Sequence, residues 1–111
     1  MDRSTLAMKA PVFTVEQEVL QYGIYVTECI PDDYNVDIDA LLALILRDSL
    51  EQRWNELSSA QHQYVQQLDR QLVAQHERVA FALPHPTKSA DGEWWWRLHE
   101  GPQVAPQELR P

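Results

Sequence analysis

Apolar residues fall at Ile38, Leu41, Leu42, Ile45, Leu46, Leu50, Trp54 and Leu57, three and four positions apart, a spacing that predicts one long amphipathic helix. Arg47, Asp48, Glu51, Gln52, Asn55 and Glu56 fall mostly on its other side. Asp37 is placed to cap it, Asp39 lies in its first turn, and Arg47 and Arg53 follow, the order that the helix dipole favours. Ser58 with Gln61 three residues on is a capping-box pattern, so a second helix starts there and runs to about Leu83 along Val65, Leu68, Leu72, Val79 and Leu83. The gap between Leu72 and Val79 has to be bridged by Gln75 or His76. Two striped helices joined by two or three residues hide both stripes most simply by turning back on each other. An antiparallel helical hairpin of about 38–57 and 59–83 is therefore expected.

Thr14 and Gln17 repeat the capping-box pattern, with Glu16 and Glu18 in the first turn, and predict a helix from Val15 to Tyr22. Tyr22 to Ile30 is rich in β-branched and aromatic residues and reads as strand or helix, with helix preferred; Pro31 ends it either way. Beyond Leu83, Pro84 and Pro86 stop the second helix, and Thr87 to Gly92 reads as a loop. A short segment with three consecutive tryptophans follows, closed by Gly101 and Pro102. The ends, about 1–12 and 102–111, are expected to be flexible. Only Gly23, Gly92 and Gly101 are present, too few for a fold of many tight turns. The expected fold class is mainly α, in a single small domain spanning 1–111.

Charge changes this picture more than composition does. The net charge is −8, and from Ala10 through Leu46 there is no Lys or Arg, against Glu16, Glu18, Glu28, Asp32, Asp33, Asp37 and Asp39. Such a field disfavours direct contact with nucleic-acid phosphates or anionic membranes and favours a basic protein surface or a cation. The longest apolar run, Ala40 to Leu46, is far too short to span a bilayer, and the N-terminus carries no signal-peptide pattern. The lone Cys29 cannot pair within the chain, so a reducing, cytoplasmic setting is expected.

The candidate chemistry is sparse. Asp33, Asn35 and Asp37 match the start of a calcium loop, but Ile38 stands where the sharp-turn glycine is needed and Leu44 where the bidentate glutamate is needed. His62, His76, His85 and His99 lie far apart in sequence, without metal-ligand spacing. Neither a nucleophile elbow nor a phosphate-binding loop could be built with these glycines. Trp94, Trp95 and Trp96 fan too widely for all three to meet one flat core face, unless the C-terminal tail folds back over a ring. Tryptophan is enriched at binding hot spots.

Together these readings point to a non-enzymatic protein-interaction module, such as an adaptor, inhibitor or regulatory subunit. It would bind a basic partner through Trp94, Trp95 and Trp96 with Glu28, Asp32, Asp33, Asp37 and Asp39, and no cofactor is called for. The alternative is a small metal- or ligand-binding protein whose carboxylates and histidines converge in the fold. A homodimer built from two hairpins is a further expectation.

Overall fold

Both capping boxes form as the sequence spells them. The Thr14 hydroxyl accepts the Gln17 N–H at 3.1 Å, and the Gln17 side chain accepts the Thr14 N–H at 2.9 Å. Ser58 and Gln61 exchange the same pair at 3.1 and 2.7 Å. They open α1 (Val15–Ile24) and α3 (Ser59–Ala74) in the computed structural model, which describes residues 13–32, 36–83 and 93–111. Between them runs α2 (Val36–Gln52), and α4 (His76–Ala82) follows α3 after a break at Gln75. A 3₁₀ turn at Trp54–Glu56 links α2 to α3, and three more follow α4, at Trp94–Glu100, Pro102–Val104 and Gln107–Leu109. No strand occurs among the described residues, and the fold is mainly α.

The ambiguous stretch after Tyr22 is helical, with a π turn at Tyr25–Cys29 before the last turn at Ile30–Asp32. Tyr22, Val26 and Ile30 are all fully buried at spacings of four, and the wider π turn keeps them on one face. That turn leaves a carbonyl in need. The Ile30 N–H bonds Tyr25 O, and Pro31 has no N–H to offer Val26 O. Gln75 fills the vacancy, its side-chain Nε2 donating to Val26 O at 2.9 Å. The residue that bridges the gap in the α3–α4 seam thus does so as a hydrogen-bond donor at the helix break.

The core unites Val15, Val19, Tyr22, Val26 and Ile30 of the first helix with Ala40, Ala43, Leu44 and Leu50 of α2. Val65, Leu68, Leu72 and Val73 of α3 join them, with Val79 of α4 and Trp95, Trp96 and Leu98. At its centre is a polar knot. Arg47 donates to both oxygens of Asp69 across 3.0–3.2 Å, and the Tyr22 hydroxyl donates to Asp69 at 2.7 Å. Arg47 also reaches Glu51 at 3.0 Å, and its guanidinium lies over the Trp95 ring at 4.3 Å. Burial pushes the Asp69 carboxyl upward, opposed by Arg47 and by the Tyr22 hydrogen bond. Burial, reinforced by the Asp69 charge, lifts the Tyr22 phenol well above its usual value.

Three expectations change. First, the antiparallel hairpin of 38–57 and 59–83 is not confirmed along its whole length: α2 packs on α1, on the π turn and on α4, which lies within 59–83, while α3 packs on α1 and the π turn. The first helix packs on both α2 and α3, and the Arg47–Asp69 pair spans from α2 to α3. Second, the apolar face expected to lie inside is split: Ile38, Leu41, Leu42 and Ile45 are exposed while Leu50 and Leu57 are buried and Leu46 and Trp54 partly so, and Arg47, expected to face away, is buried. Third, 102–111, expected to be flexible, packs back on the domain through Ala105 and Leu109, with Arg110 bonded to the carbonyls of Ala105 and Gln103 at 2.9 Å each. Gly101 makes that return possible at φ +114°, a backbone conformation that a side chain would strain. Residues 1–12 lie outside the described residues.

Candidate docking groove

α2 is apolar on two opposite faces. At about 100° per residue, Ala40, Ala43, Leu44 and Leu50 define one side, and Ile38, Leu41, Leu42 and Ile45 fall roughly opposite. The first set is buried, whereas the second is 54 %, 38 %, 37 % and 48 % exposed. Fully burying one Leu or Ile is worth about 1.5–3 kcal/mol, so a four-residue apolar stripe left in water is a large unclaimed driving force. A contiguous patch of this kind marks an interaction surface more often than a lone exposed leucine does.

Part of the stripe forms the wall of a groove between α1 and α2 that encloses about 400 Å³. Leu42, Ile45, Leu46 and Ser49 line it from α2, facing Phe13, Glu18, Gln21 and Tyr25. One end is fixed by hydrogen bonds. Ser49 donates to both oxygens of Glu18, at 2.8 and 3.0 Å, and Arg53 pairs with Glu18 at 3.3 Å. Arg53 also donates to the Phe13 carbonyl at 2.9 Å, which holds Phe13 at the mouth. At that end the carboxylate is already neutralised.

The opposite end is acidic. Cys29 stands one turn beyond Tyr25, and Asp39 one turn before Leu42. The Cys29 thiol is pushed up by burial and by the charges of Asp39, Glu28 and Asp32. Glu28 and Asp32 lie on the turns that pack against α2, whose first turn carries Asp39. Asp37 is exposed in the first turn of α2, and Asp33 lies outside the described residues.

The tryptophans are used differently from the expectation. Trp95 and Trp96 are buried, and both indole N–H groups donate to one oxygen of Asp48 at 2.8 Å. Trp94 is half-buried and meets the Trp95 ring edge-on at 5.3 Å. The 3₁₀ turn packs on α4 and α2 at once, so the rings meet two surfaces rather than one flat face. No tryptophan lines the groove.

Sequence reasoning did not find Phe13, Glu18, Tyr25 or Ser49 as site residues. The available signal was the unbroken apolar run from Ala40 to Leu46, since seven successive residues cover every side of a helix. Among the described residues, no three His, Cys, Asp or Glu side chains come together to hold a metal ion, and no helix is long and apolar enough to cross a membrane. The calcium-like loop includes Asp33 and Asn35, outside the described residues. Comparison with protein-family models, with curated proteins and with solved structures finds no match to this chain.

Proposed function

We propose that this chain is a non-enzymatic interaction module, an adaptor, inhibitor or regulatory subunit, that binds a basic protein partner in the groove between α1 and α2. The observation that carries the reading is the exposed stripe Ile38, Leu41, Leu42 and Ile45, set in a stretch with no Lys or Arg from Ala10 to Leu46. An apolar surface with an anionic border suits a partner that presents apolar anchors flanked by cations. Trp95 and Trp96 serve on this reading as core, and the acidic cluster of Glu28, Asp32 and Asp39 serves as the electrostatic half of the site.

Affinity capture with the wild-type chain and with Ile45→Glu tests the proposal. The expected result is a basic protein retained by the wild type and lost by the variant, with both chains melting at similar temperatures. Retention of the same proteins by both, or only of acidic ones, would remove the groove as the docking surface.

A further inference from the structure

The docking reading leaves open what shape of partner the groove accepts, and the following inference rests on that reading. We infer that the groove takes a single amphipathic α-helix of about three turns, with its Lys and Arg residues gathered at the end that meets Glu28, Asp32 and Asp39.

Length comes first. The exposed stripe and groove wall run along α2 from Ile38 to Ser49, a rise of about 16 Å or three turns at 1.5 Å per residue. A furrow between two packed helices is the surface into which the side-chain ridge of a third helix fits.

Backbone chemistry excludes an extended occupant. No sheet edge exists among the described residues, and the backbone groups of α1 and α2 are spent within their helices. Of the polar groups in the lining, Glu18 and Ser49 already bond each other. An extended segment pressed into this groove would lose water from its whole row of N–H and C=O groups and find only the Gln21 amide and the Tyr25 hydroxyl in the lining to pair with them. A helix brings its backbone already satisfied.

Charge sets the direction. Glu18 at one end is neutralised by Arg53, while at the other the turns that carry the exposed Glu28 and Asp32 pack on α2, whose first turn carries Asp39. The field therefore runs along the groove, and a helix with cations at one end has one preferred orientation. The same field disfavours a second copy of this chain, whose own α1 and α2 would bring like charges to the contact.

The test is selection of random 16-residue peptides displayed on phage against the full-length protein, with Ile45→Glu protein as the counter-selection. Enriched sequences should repeat apolar residues at i, i+3 or i+4 and i+7, with Lys or Arg crowded into one terminal turn. A synthetic representative should gain helical circular dichroism on binding and weaken by about tenfold or more with Ile45→Glu, the loss typical of a central anchor. The exposed pair Glu28→Gln and Asp32→Asn should weaken it and flatten its salt dependence, and a nitroxide on Cys29 should broaden the resonances of its basic end. Proline-rich or alternating sequences, or broadening of the apolar end, would overturn the helix while leaving the docking reading in place. If wild-type and Ile45→Glu proteins enrich the same peptides, or if Ile45→Glu converts a self-associated wild type to monomer in sedimentation, both readings fall.

Discussion

Arg47 and Asp69 face each other with both side chains shut away from water, 3.0 Å apart from Nε to Oδ1. The pair ties α2 to α3 across the core that they share. Removing one member leaves a buried charge without its counterion, which typically costs about 3–5 kcal/mol. Asp69→Asn should lower the urea midpoint accordingly. Replacing both, as Arg47→Met with Asp69→Leu, should recover a good part of that loss. A single substitution that left the midpoint unchanged would mean that the pair is open to water.

Tyr22 gives the fold an alkaline limit. Its folded phenol holds its proton to higher pH than the unfolded one, which ionises near 10.0. Above that pH the unfolded chain releases a proton that the folded chain keeps, so the contribution is complete below about pH 10 and is lost as pH rises beyond it. Tyr22→Phe removes the hydrogen bond to Asp69 and should cost about 1–3 kcal/mol at neutral pH. It should also flatten the decline above pH 10, and denaturation curves from pH 8 to 11.5 compare the two chains directly.

Asp48 holds Trp95 and Trp96 through one carboxylate oxygen. Asp48→Ala would strand two indole N–H groups, at about 1–3 kcal/mol for each one left buried without a partner. Tryptophan emission should shift to the red as the 3₁₀ turn loosens. In the wild type, acrylamide should reach Trp94 and Trp54, both half-buried, far more readily than Trp95 and Trp96. Equal quenching of all four rings would contradict the packing described.

Leu44 and Ile45 are chain neighbours with opposite roles. Leu44 is in the core, and Leu44→Ala should cost about 2–5 kcal/mol. Ile45→Glu should stay within about 0.5 kcal/mol of the wild type while reducing binding of a hydrophobic dye, because no core contact is lost. Thermal melts of the two variants separate these outcomes in one experiment.

Several parts of this protein are written locally. Thr14 with Gln17 and Ser58 with Gln61 set two helix starts, since a capping box needs only residues three apart. The mainly α class follows from helical spacing and scarce glycine, and the charge asymmetry can be read directly from residues 10–46. The tertiary structure decided which of two apolar faces of α2 would be covered. Periodicity locates a stripe but cannot say what lies against it, and here α1 and α4 claim the side of Ala40, Ala43 and Leu44. It also decided that Arg47 turns inward, because the counterion that makes burial tolerable, Asp69, lies 22 positions away. The groove rests on the same kind of fact. Phe13, Tyr25 and Ile45 share a surface only because the chain reverses between α1 and α2, and no local pattern records that reversal.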